Sequence, residues 1–237
     1  MKLLKKIHLT FLRTFLKTPI STPIPSLYWE TGSLDIESRI NQRKLTFYFH
    51  ILNMDDSTLA RKIAEIQDHN NFPGLIPEVK VLLRNYDLNE QNINEFTKVS
   101  WKRKVKQAIV TKFQETLLKD MRSFKKINYN KKSNEEFGMR DYLKNFSLED
   151  GRMMFLVETE MVDKIKFNFM GNAQYEKSNW ACDYCNDTYG VYKPDTIQHV
   201  MECENYENFR QDLDLDQENH VAKYFTKVVK FRNNLTQ

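Results

Sequence analysis

The chain has 237 residues, 41% of them hydrophobic and 13% aromatic, with only six Gly and six Pro. That composition supplies a real core and excludes the disordered and low-complexity classes. The three cysteines fall in one motif, residues 1–20 lack the unbroken apolar core of a signal peptide, and no run of eighteen apolar residues exists. A secreted disulfide scaffold and a membrane-spanning chain are therefore excluded, and the expectation is an intracellular protein, nuclear or cytoplasmic.

Residues 3–17 repeat apolar positions at Leu4, Ile7, Phe11, Leu12, Phe15 and Leu16, with Lys and Arg between them. This is helical spacing, and Pro23 and Pro25 end it. Such a helix can pack on a core or lie on a membrane; packing is the commoner use, and no membrane partner is expected. Ser33 is a candidate cap for a helix over 34–53, with Ile36, Ile40, Phe47, Tyr48, Ile51 and Leu52 on its apolar side. Asp55, Asp56 and Ser57 restart a helix carrying Leu59, Ile63 and Ile66. A turn over Asn70 to Pro77 leads to a short helix with Pro77 in its first turn, carrying Val79, Leu82, Leu83 and Tyr86. His50 and His69 each stand alone beside helical apolar residues, so they read as packed or solvated side chains.

The longest periodic run is Trp101, Val105, Ala108, Ile109, Phe113, Leu117, Met121 and Phe124, which predicts a helix over 101–126. Its polar positions hold Lys102, Arg103, Lys104, Lys106, Lys112, Lys119, Arg122, Lys125 and Lys126. Residues 100–132 contain eleven Lys/Arg against Glu115 and Asp120 alone. A charged helix face is ordinarily just solvated, but a bias to one sign repels itself and favours a phosphate-bearing ligand. Further on, Ser147-Leu148-Glu149-Asp150 starts a helix through Met161, and Val221, Tyr224, Phe225, Val228 and Val229 predict a last helix near 218–232.

Between them lies Cys182-x2-Cys185-x13-His199-x3-Cys203, which uses every cysteine of the chain. Four soft or borderline ligands at this spacing predict one tetrahedral zinc ion. With no open coordination position, that zinc is structural. Asp195 is the candidate cap of the ligand-bearing helix. Residues 176–219 carry eleven Asp/Glu against three Lys/Arg, so this finger is acidic. It lacks the basic residues with which a finger helix faces DNA.

Several segments, taken in order, resemble the region beyond the reverse transcriptase domain in non-LTR retrotransposon polyproteins. They are Thr22-Pro23, Leu27-Tyr28-Trp29-Glu30-Thr31-Gly32, Ile40-Asn41-Gln42-Arg43-Lys44-Leu45 with Tyr48 and Ile51-Leu52, and Gln67 with Pro73-Gly74. Trp101-Lys102-Arg103-Lys104-Val105-Lys106, Tyr142-Leu143, Lys166-Phe167-Asn168-Phe169 and the finger complete the series. The resemblance spans about residues 20–210 and implies a segment that holds template RNA or target DNA. The polymerase carboxylates are absent, so it implies no polymerase activity. Glu158-Thr159-Glu160-Met161 stands where a basic Arg-x-Arg-Met is expected.

No G-x-S-x-G, Gly-rich phosphate loop or H-E-x-x-H occurs, so no enzyme is expected. The expected fold is mostly α: a multi-helix array over 1–175, a CCHC zinc knuckle with a short hairpin and helix over 176–215, and a C-terminal helix over 216–237. The expected function is non-enzymatic binding of nucleic acid, RNA before DNA, with little sequence preference. The alternative is a structural or protein-interaction module whose zinc knuckle locks the C-terminal helices. Neither reading fixes an oligomeric state.

Overall fold

In the computed structural model, residues 1–70, 72–90, 92–123, 136–162, 165 and 181–235 are described. They are mostly helical and contain no strand; the one sheet-like pairing among them is an isolated antiparallel bridge between Ala181 and Pro194. They divide into two compact units, each discontinuous in sequence. One holds Met1–Leu9 and Leu34–Asp120, the other Thr10–Ser33 and Met121 onward.

The first unit is built on α3 (Ile36–Leu52), α4 (Leu59–His69), α5 (Leu75–Asn85) and α6 (Lys98–Met121, through Asp120). Asp35, not Ser33, caps α3: its carboxylate accepts from the Ser38 backbone N–H at 2.8 Å. Asp also favours the positive end of the helix dipole, which Ser does not. Thr58 caps α4 in the same way, through the Arg61 N–H. Leu45, Tyr48, Phe49, Val79, Leu83, Trp101, Val105 and Ile109 form one buried cluster. Trp101 is fully buried and stacks on Phe49 with ring centroids 5.9 Å apart. Its indole N–H donates to the Leu45 carbonyl at 3.1 Å, so burying the ring leaves no orphan donor and ties α6 to α3. At the α4–α5 turn, a Cβ on Gly74 would lie 2.6 Å from Gln67 Nε2. The Gln67 side-chain oxygen accepts from the Ile76 N–H at 3.4 Å, so a side chain at position 74 would displace the Gln67 amide from this turn.

Helix α1 (Lys2–Leu16) meets the packing expectation only in part. Leu12 and Leu16 are buried, whereas Leu4, Ile7 and Phe11 are exposed, Phe11 at 63%. α4 likewise leaves Leu59, Ile63 and Ile66 exposed, and buries Ala64. Pro23 and Pro25 do not stop α1, which ends at Leu16. They open α2 (Ile24–Thr31), with Pro23 at the cap and Pro25 at its second position, where a missing N–H costs nothing.

In the second unit α2 is buried along almost its whole length. Glu30 accepts from the Tyr142 hydroxyl at 2.6 Å and lies 3.4 Å from Arg140 Nε. Burial and the neighbouring carboxylate push the Tyr142 hydroxyl far above its ordinary pKa. Gly32 closes the helix with φ 61°, and a Cβ there would lie 2.2 Å from the Met139 nitrogen. The Glu-Thr-Gly piece is therefore part of the framework. Next come α7 (Asp141–Asn145) and α8 (Leu148–Glu158); Ser147 caps α8 through the Asp150 N–H at 3.1 Å, as its sequence predicts. The last helix, α12 (Glu218–Leu235), packs against α8 and buries Tyr224, Phe225 and Val228. Among the described residues no helix is long and apolar enough to cross a membrane.

Candidate metal centre and basic surface

The finger lies within the second unit. The Cys182 N–H donates to the Lys193 carbonyl at 2.8 Å, and with the Ala181–Pro194 bridge this pins the two arms together. Cys182 then begins α9 (Asp183–Tyr189), which carries Cys185 one turn on and ends at Gly190 with φ 60°. Thr196 caps α10 (Ile197–Glu202): its hydroxyl accepts from the His199 N–H at 3.0 Å. Cys203 sits just past the end of α10, in extended backbone, with its N–H on the His199 carbonyl at 2.8 Å. A 3-10 turn (Glu204–Tyr206) and α11 (Glu207–Arg210) follow it.

The four side chains converge. Cys182 Sγ–Cys203 Sγ is 3.9 Å, Cys185 Sγ–Cys203 Sγ 3.8 Å and Cys185 Sγ–His199 Nε2 3.5 Å. All four donor atoms lie within 4.8 Å of one another. Zinc–sulfur bonds of about 2.3 Å would put two tetrahedral ligands about 3.8 Å apart, and these separations match that spacing. They are far from an S–S bond of about 2.0 Å, and the cysteines are free. Burial pushes all three thiols above their ordinary pKa, and burial pushes His199 below its own. A buried group of this kind can hold a metal ion.

Asp195 does not cap α10. Its buried carboxylate forms a bidentate pair with Arg232 of α12, both contacts at 2.7 Å. Arg232 also donates to the Tyr206 hydroxyl at 2.8 Å and lies over the Tyr206 ring. The Tyr224 hydroxyl donates to the Val200 carbonyl, and Arg210 donates to the Cys203 carbonyl at 2.8 Å. The finger is therefore braced by α12 at several points. Spacing alone does not reveal Asp195 and Arg232 as positioning residues; a buried acid beside a ligand motif, with an arginine in the following apolar helix, is the signal that could have found them.

On α6 the buried Trp101, Val105, Ile109, Leu117 and Met121, with the half-buried Phe113 between them, advance four residues at a time, so the apolar stripe winds around the helix. Lys102, Arg103, Lys104, Lys106, Lys112 and Lys119 are all exposed. Among the described residues, none of these six has a carboxylate within ion-pair distance. They do not share one face. Lys102, Arg103 and Lys106 line one groove, Lys104 lies 4.5 Å over the Phe96 ring, and Lys112 lines a separate depression beside Glu37 and Asp87. Arg122 is exposed beyond the end of α6. Phe124, Lys125 and Lys126, and the Lys166-Phe167-Asn168-Phe169 piece, lie outside the described residues. Glu202, Glu204, Glu207 and Asp212 of the finger are exposed.

Compared with protein families, curated proteins and solved structures, the chain matches none.

Proposed function

We propose that this chain is a non-enzymatic nucleic-acid-binding protein, RNA before DNA, that binds through the basic surface of α6. We further propose that its finger is a zinc knuckle with a structural role. The observation that carries the binding reading is the run of six exposed cations, none of them ion-paired among the described residues, on a helix whose apolar stripe is locked into a core. Phosphate contacts of this kind position a ligand without naming its bases, so little sequence preference is expected. The ordered series of segments that resembles the post-polymerase region of retrotransposon polyproteins supports the same reading. The three thiols, one imidazole and tetrahedral spacing fit zinc, and four protein ligands leave it no position for substrate.

The test is a salt titration of the full chain with generic RNA and with duplex DNA. If five cations meet phosphates, log K should fall against log salt with a slope of about −3.5 on single strands and about −4.5 on duplex DNA. Immeasurably weak binding at low salt would instead leave the chain a structural or protein-interaction module.

A further inference from the structure

The groove between α3 and the start of α6 has a composition that a solvated basic helix does not need. It encloses about 970 Å³. Five cations line it: Arg43 from α3, and Lys98, Lys102, Arg103 and Lys106 from α6. Among the described residues, no Asp or Glu lines it. The rest of the wall is neutral, with Phe47, Phe49, His50 and Phe96 set among the small polar and apolar side chains Gln42, Thr46, Asn53, Thr97 and Val99. Phe49 and Phe96 form the floor against Trp101, and Phe47 and His50 stand at the rim with ring centroids 6.4 Å apart. Phe47 is 48% exposed, so the wall carries an uncovered ring beside uncompensated charge.

Resting on the binding reading above, we infer that this groove takes single-stranded nucleic acid, with phosphates on the cations and at least one base stacked on Phe47. The pairing of features decides this. Lysine and arginine would serve any polyanion, but a ring reaches a duplex base face only by prising stacked bases apart, at about a few kcal/mol per step. A single strand offers both a phosphate track and free base faces, and basic grooves with stacking aromatics hold such strands with little regard to sequence. An acidic peptide would satisfy the charge and leave the ring without a partner. The volume lies near the top of the range of about 300–1,000 Å³ that encloses a compact ligand, so a short run of nucleotides fits.

The test uses the full chain, a labelled oligouridylate, an RNA hairpin with a fully paired stem, and a polyglutamate peptide as competitor. The oligouridylate should bind at least about tenfold tighter than the hairpin. Phe47→Ala should weaken it about fivefold or more with the salt slope unchanged, because stacking releases no counterions. Phe47→Tyr, which keeps a ring, should restore binding. Lys102→Gln with Arg103→Gln should lower the slope by about 1.4, at about 0.7 for each single-strand phosphate no longer neutralised. Circular dichroism and thermal melting of each variant guard against misfolding, and the substituted side chains are all exposed. Equal binding of hairpin and single strand with no effect of Phe47→Ala would overturn the groove while leaving the α6 reading intact. Displacement by polyglutamate at equal charge concentration would overturn it in favour of an acidic peptide. Absence of any RNA or DNA binding would overturn both.

Discussion

The finger and the α3–α6 groove bring chemistry together in opposite ways. The finger gathers four ligand atoms from 22 consecutive residues, Cys182 to Cys203, and is surrounded by its own carboxylates. The groove gathers five cations from two helices, with Arg43 55 positions before Lys98, and no carboxylate stands among the described residues that line it. Local spacing determines the first, because short loops leave few ways for four ligands to miss one another. Long-range packing determines the second: Trp101 must seat against Phe49 and Leu45 before Lys102 can face Arg43. One region should therefore fail when an ion is withdrawn, and the other when salt is added.

The largest expected effect is loss of metal. Cys203→Ala, or chelation, should remove a contribution on the order of 10 kcal/mol to local folding, as in zinc-finger peptides. Amide protection should collapse across 181–210 while the α3–α6 core keeps its own. Unchanged exchange in the finger would mean that α12 alone holds it. Acid should act on the metal site in the same direction. The metal binds thiolates, and burial favours the neutral thiols, so each bound cysteine must expel a proton. Lowering the pH from 8 to 7 should weaken metal affinity with a slope approaching about three in log K. His199, held below its ordinary value by burial, stays neutral over that range and adds nothing. The metal-free finger has the opposite sign: raised thiol pKa values stabilise it below the unfolded thiol pKa, and that stability is lost as the pH rises through the folded values. A pH titration of melting temperature with and without zinc distinguishes the two curves.

Next in size is the brace behind the finger. Arg232→Met takes from the buried Asp195 carboxylate its bidentate cationic partner, which should cost about 3–5 kcal/mol. Urea unfolding of the zinc-loaded protein measures it. A loss below about 1 kcal/mol would show that water or the finger backbone compensates Asp195, and that the ligand tetrahedron stands without α12.

What the sequence made legible follows the same division. The ligand set, the Ser147 cap, and the positions of α3, α6 and α12 to within a few residues come from spacing and capping chemistry that act over one or two turns. Asp195 misled because an acid after Pro194 reads as a helix cap. Its partner, Arg232, lies 37 residues away, and no local pattern announces a bidentate pair. Pro23 and Pro25 misled because proline both ends and begins helices, and only the buried face of α2 shows which it does here. The groove was invisible for a related reason. Periodicity marks Trp101 through Met121 as one apolar side, but a stripe advancing by fours drifts around the helix. The cations beside it therefore fall on different sides, and periodicity cannot say which neighbour each one meets.

The smallest expected effect tests that drift. Lys112 has the same charge and exposure as Lys102, yet it looks into a depression of about 590 Å³ that also holds Glu37 and Asp87. Arg84 lines it too, so the two acids and two cations there balance, and the depression lacks the one-sign bias with which the groove draws a phosphate. Lys112→Gln should accordingly leave the salt slope within about 0.2 of the parent value, against about 0.7 for Lys102→Gln on a single strand. Removing Lys112 also leaves Glu37 and Asp87 with less opposing charge, so any change in affinity should be a slight weakening with the slope preserved. If Lys112→Gln and Lys102→Gln lower the slope equally, the ligand wraps the whole helix, and sequence charge rather than the groove decides where it sits.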